Sequence, residues 1–185
     1  MAKHHILVPL ATGFEETEAV AVIDVLRRAD LRVSVVALGE RRVEGSHGIV
    51  LEADATWDEA DLASVTAVAL PGGMPGTRGL AADERLLELI RRLHADGGLI
   101  AAVCAAPLVL AAAGVLAGPA TSHPSVAAEL DLSDYREDRV VRNGAQVTSR
   151  GPGTALEWAL ALVAVLVSPE CAAELGRAML VEHRA

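Results

Sequence analysis

The chain has 185 residues, 52% of them hydrophobic and 2% aromatic, with a formal net charge of −9. That length suits one domain, residues 1–185, able to bury its core without disulfide staples, and the acidic balance argues against a nucleic-acid partner. With Phe14, Trp57, Tyr135 and Trp158 as its aromatics, the core must be built from Ala, Val, Leu and Ile, which suits helices packed on a parallel sheet covered on both faces.

Residues 5–10, HILVPL, are a continuous apolar run and predict a first strand. The turn Ala11-Thr12-Gly13 leads into a helix starting near Phe14 or Glu15. At 100° steps this helix collects Ala21, Val22, Val25, Leu26 and Ala29 on an apolar arc, and Asp24, Arg27, Arg28 and Asp30 on the opposite side. Glu16 falls toward the solvent side, Glu15 on the apolar arc and Glu18 near its middle. An inward carboxylate needs a partner or a proton. Acids at a helix N-terminus are also ordinary complements of its dipole, which accounts for Glu15 and Glu16 better than for Glu18.

Residues 31–38 alternate and predict a second strand, 41–51 an irregular hairpin, and 56–64 a short capped helical turn. A buried strand over 66–70 ends in the loop PGGMPGTRGL, whose Gly72 and Gly73 let backbone N–H groups approach a substrate closely. Double glycines also occur in ordinary loops. Residues 83–96 read as an amphipathic helix.

The stretch 97–122 carries no charge. It reads as a buried strand over 99–103, a sharp turn at Cys104 and a helix from about Pro107. Pro107, Pro119, Gly114 and Gly118 argue against the membrane span its length would permit. A turn residue at that place sits at a helix N-terminus, so the thiol is expected to ionise more readily than a free one. The arrangement is a nucleophile elbow with sulfur in place of a hydroxyl. The N–H of Ala105, with those of the glycine turn, can form an oxyanion hole. The plain alternative is a buried cysteine acting as a small hydrophobe.

His123, at a strand end before Pro124, can act as acid or base, or be a surface histidine with no role. VVRNGAQVTSR predicts a hairpin with an Asn-Gly turn. Arg150 can hold an anion or a carboxylate, and Thr154 can cap the first of two closing helices, 154–167 and 169–181. Cys171 falls on a helical pattern, facing core or partner. His4, His5, His47, His94 and His183 show no convergent partner, and no close ligand spacing points to a metal. The two cysteines are far apart, and the N-terminal apolar run is too short for a signal peptide, so a cytoplasmic protein with reduced thiols is expected. The alternation of strands and helices implies a doubly wound α/β sheet. Its site should lie beyond the strands' carboxyl ends, where loops 11–15, 71–76, 104–106 and 121–124 converge.

GFEETEAVAVIDVLRRA, ALPGGMPG, AAVCAAPLVLAAAGVL, ATSHP and TSRGPGTALEWAL, in this order, resemble the ThiJ/PfpI superfamily on the branch of the parkinsonism-associated deglycase (DJ-one). The resemblance covers nearly the whole chain. It implies a flavodoxin-like three-layer sandwich, mostly parallel, and a homodimer. It maps the reactive cysteine to Cys104, the carboxyl that donates to it to Glu18, the oxyanion donors to Gly73 and Ala105, and a nearby histidine to His123. Pro152 would close the pocket. Ala105 stands where the superfamily's proteases carry histidine, so a protease is not expected. The activity implied is a glyoxalase III-type lyase or a protein deglycase without cofactor or metal, acting on methylglyoxal, glyoxal or their early glycation adducts. The alternative is an oxidative-stress sensor or redox-regulated chaperone in which Cys104 oxidises to sulfinate. A scaffold that keeps the elbow without chemistry is a third reading.

Overall fold

The computed structural model describes residues 4–181, so His183 lies outside the described residues. The strands in chain order are β1 (His5–Leu10), β2 (Arg32–Ala37), β3 (Arg42–Glu44), β4 (Val50–Glu52), β5 (Ala55–Thr56), β6 (Ala67–Leu70), β7 (Leu99–Val103), β8 (Val140–Asn143) and β9 (Gln146–Ser149). Seven of them form one sheet in the order β5-β2-β1-β6-β7-β9-β8, parallel except for β8, while β3 and β4 make a separate antiparallel hairpin. The helices are α1 (Glu16–Arg28), α2 (Met74–Ala82), α3 (Glu84–Ala95), α4 (Pro107–Ala112), α5 (Ala127–Leu130), α6 (Ala155–Leu166) and α7 (Pro169–Ala178).

Apart from His5, the central strands β1, β6 and β7 are apolar at every position because both faces are covered. In β1, Ile6, Val8 and Leu10 join the core under α1, α6 and α7, while Leu7 joins the core under α3 and α4. β6 and β7 divide their residues the same way, Val68 and Ile100 facing α3 and Ala69 and Ala101 facing α6. Trp158, fully buried, donates its indole N–H to the Val147 carbonyl at 3.3 Å and so fixes α6 on β9. No helix among the described residues is long and apolar enough to cross a membrane. The uncharged stretch 97–122 is instead divided into β7, the Cys104 turn and α4.

Several local expectations are corrected. The glycine-rich segment expected as a loop over 71–80 becomes helical from Met74, with Gly73 as its N-cap and Pro75 within its first turn. Tertiary packing overrides composition here: a Cβ on Gly76 would lie 2.7 Å from the Phe14 nitrogen, so glycine lets α2 lie directly against the first loop. The β8–β9 turn falls at Gly144-Ala145, one residue later than Asn-Gly, because Asn143 pairs with Gln146 as the last rung of the ladder. The short helix α5 was not anticipated after His123. His5 does have partners: its two ring nitrogens lie 2.8 Å from the Ser64 and Ser34 hydroxyls.

Candidate active site

β7 delivers Cys104 to the carboxyl edge of the sheet, between β6 and β9. Its backbone adopts φ 62°, a left-handed conformation that costs a non-glycine residue about 1–3 kcal/mol. Bonds on both sides hold it there: the Cys104 N–H donates to the Ser149 carbonyl at 3.0 Å, and the Cys104 carbonyl accepts from the His123 N–H at 2.8 Å. α4 begins three residues on, with Pro107 in its first position. The cysteine is half-buried at the elbow, and the N–H groups of Gly73 and Ala105 both interact with its sulfur.

α1 brings Glu18 to the same point. Glu15 caps the helix, its Oε2 accepting from the Glu18 N–H at 2.7 Å, while the Glu15 N–H donates to the Gly72 carbonyl at 2.9 Å. Glu18 is fully buried, as its inward position predicted. Its Oε2 accepts from the Gly72 N–H at 2.7 Å, and the polar side chain it interacts with is the Cys104 thiol. Gly72 therefore spends its N–H on Glu18, leaving Gly73 and Ala105 as the donors at the sulfur. A Cβ on Gly72 would lie 2.7 Å from the Cys104 Cβ and 2.8 Å from Glu18 Oε2, so glycine is what allows this approach.

The electrostatics differ from the expectation of a readily ionised thiol. Burial, reinforced by the Glu18 charge and its hydrogen bond, pushes Cys104 up to about 12, against the pull of the Ala105 and Gly73 N–H groups. Burial likewise pushes Glu18 up to about 7, aided by the Glu15 charge and opposed by the Gly72 N–H and Cys104. The pair thus sheds its first proton near neutrality and holds the second tightly.

Other candidates are less direct. His123 caps the short turn Pro124–Val126, and its backbone is tied to the elbow through the Cys104 carbonyl. Arg150 donates through one guanidinium N–H to the Glu137 carbonyl at 2.6 Å and so holds the chain before β8. Pro152 is exposed at the start of its turn; the residue of that turn nearest the site is Gly151, beside the His123 ring. The Thr154 hydroxyl does not cap α6 but is turned back to Ser149 and Gly151.

Glu16 is also corrected, being buried rather than solvent-facing, because the β3–β4 hairpin closes over it. It accepts from the His47 N–H at 2.6 Å and the Ile49 N–H at 3.4 Å, and its Oε2 lies 2.8 Å from the His47 ring. Burial raises the Glu16 carboxyl, but the His47 ring and these N–H groups outweigh it and bring the value to about 2; His47 is raised in turn by the same bond. Glu15, Glu16 and His47 each bring a potential ligand atom within 4.8 Å of the others, a convergence invisible in sequence because His47 lies 31 residues from Glu16. Hydrogen bonds to the hairpin already occupy both Glu16 oxygens.

The strand-to-helix thiol, with its buried acid and paired backbone donors, puts the chain among α/β proteins organised around a cysteine elbow. Residues 4–165 match the DJ-1/PfpI family, and the chain belongs to it. It is 42% identical over 179 residues to the Arabidopsis thaliana protein DJ-1 homolog B, covering 95% of this chain but only 41% of that relative. This chain thus spans less than half the length of that plant relative. It is 35% identical to a Caenorhabditis elegans protein named glutathione-independent glyoxalase DJR-1.2, with 84% of each chain covered. Among solved structures, oxidized Toxoplasma gondii DJ-1 superposes with a TM-score of 0.91 at 36% identity, covering 96% of this chain and 98% of that one.

Proposed function

We propose that this protein is a cofactor-independent glyoxalase acting on methylglyoxal and glyoxal, with deglycase action on their early adducts as an extension of the same chemistry. The observation that carries it is the Cys104 thiol held at the strand-to-helix elbow beside the buried Glu18 carboxyl, a nucleophile and a proton carrier brought together by the Gly72 turn. The C. elegans relative named as a glyoxalase supports the substrate class. The Cys104 thiolate attacks the aldehyde carbon. The new alkoxide lies toward the Gly73 and Ala105 N–H groups and takes the proton of Glu18, completing a hemithioacetal. The Glu18 carboxylate then removes the C–H proton and returns it to the adjacent carbon, while the hydroxyl proton on the first carbon passes to the second oxygen. The product is a thioester of lactate. Water cleaves it, releasing lactate and restoring the thiol.

The test is lactate formation from methylglyoxal by the purified chain beside Cys104→Ala. Turnover should vanish in the variant, and turnover that survives would overturn the scheme. A second reading, a redox sensor, draws on the oxidized T. gondii neighbour. Mild peroxide followed by mass spectrometry should then add two oxygens to Cys104. Oxidation confined to Cys171 would end that reading.

We also propose a homodimer. Exposed Val20 lies one turn beyond Glu16 on α1, and Glu16 accepts from the N–H of exposed Ile49, so Val20, Ile49 and Val50 form an apolar patch shared by α1 and the hairpin.

A further inference from the structure

We propose that Ser125 is a positioning residue: it holds His123 in the tautomer protonated at Nε2, so the imidazole serves the Cys104 site as a hydrogen-bond donor and leaves proton transfer to Glu18. The chemical half rests on the glyoxalase reading; the tautomer does not.

A neutral imidazole has one N–H and one lone pair. His123 Nδ1 accepts a hydrogen bond from the Ser125 backbone N–H at 3.2 Å, as the cap of the turn that follows. An amide N–H can only donate, so Nδ1 must present its lone pair, and the ring proton goes to Nε2. The Ser125 hydroxyl, 2.7 Å from Nδ1, adds a second donor on the same side. A proton on Nδ1 would set two N–H groups against each other.

The other edge of the ring lies beside Gly151, and the His123 backbone is tied to the elbow. The His123 backbone is bonded to the Cys104 carbonyl at 2.8 Å. The ring carbon Cδ2, which neighbours Nε2, would meet a Cβ on Gly151 at 3.5 Å. Gly151 stands two residues after Ser149, which accepts the Cys104 N–H. Among the described residues nothing accepts a bond from Nε2, so its proton is available to a ligand. In the proposed reaction the Gly73 and Ala105 donors serve the oxygen on the attacked carbon. The oxygen on the adjacent carbon gains charge when Glu18 removes the C–H proton, and a neutral N–H donor is what it requires. A lone-pair nitrogen there would compete with Glu18 for the same proton.

The test uses the full chain labelled with ¹⁵N-histidine, with His123 assigned through His123→Gln. Two-bond ¹H–¹⁵N spectra at neutral pH should show the Nε2–H pattern; an Nδ1–H or imidazolium pattern overturns the proposal. Ser125→Ala should move the Nδ1 resonance and Ser125→Thr return it; a resonance that Ser125→Ala leaves in place overturns the serine's share. The pH profile of Cys104 alkylation by iodoacetamide should lose its inflection in Glu18→Gln and keep it in His123→Gln; the reverse overturns the division of roles. In methylglyoxal turnover, Ser125→Ala should lower kcat about two- to tenfold, the size of one hydrogen bond, with KM within about twofold. An unchanged kcat counts against positioning. A protein with no turnover but with these spectra and this alkylation profile would sink the glyoxalase reading and leave the tautomer standing.

Discussion

A carboxyl that folding keeps protonated makes stability depend on pH, and Glu18 is such a group. Its value rises from 4.5 unfolded to about 7 folded, so the fold favours its acid form. That advantage is complete below pH 4.5 and is lost as pH rises through 7, a change on the order of 3 kcal/mol. Denaturant titrations at pH 5 and pH 8 should show wild type losing most of this amount, while Glu18→Gln loses little of it. Glu16 has the opposite sign. Its value falls to about 2, so its contribution is full above 4.5 and fades as pH falls toward 2. His47, raised by the same bond, contributes below 6.5 and loses its share as pH rises through its folded value. The clasp between Glu16 and His47 should therefore hold best between pH 4.5 and 6.5, checked by amide exchange in the 42–52 hairpin across pH. Of these two acids, helical geometry in the sequence revealed only Glu18. Glu16 was misplaced because what buries it is a hairpin arriving from more than two dozen residues away.

At the scale of elements, the site depends on how closely three loops approach one another. Gly72→Ala would drive a methyl group into the Cys104 Cβ and Glu18 Oε2. We expect a stability loss of about 1–3 kcal/mol from overpacking and at least a tenfold slower alkylation of Cys104, read by denaturation and thiol labelling. Gly45→Ala should act on the hairpin instead, because a Cβ there collides with the Glu16 carboxylate. Its effect should appear as faster amide exchange in β3 and β4 with Cys104 reactivity near wild type. β1, β7 and α3 were legible because each has one strong pattern, continuous apolar residues or a clean amphipathic period, and their bounds fell within about two residues. α2 was illegible because Gly and Pro fill its first turn. Their reasons for being there, the close packing of Gly76 on Phe14 and a proline in the opening turn, are tertiary.

At the scale of the whole molecule, the two-sided sheet accounts for the chain's composition. Small aliphatic residues fill both cores, and alternating strand and helix patterns made the fold class readable from sequence. The face proposed for the dimer was not readable in that way, because Val20, Ile49 and Val50 look like ordinary apolar residues until α1 and the hairpin meet. Ile49→Glu should shift the light-scattering mass toward that of one chain while Cys104 alkylation changes little. A mass that does not move would place the proposed interface elsewhere.

Glu15 and Gly72 are stitched to each other twice, once through the Glu15 N–H and once through Glu18, and Gly76 is tied back to the Gly13 carbonyl. A cleft braced in this way has little freedom left to surrender when a ligand arrives. Calorimetry of a small aldehyde analogue should accordingly record a modest heat-capacity change and a slight entropic penalty, the signature of a receptor already in its bound shape.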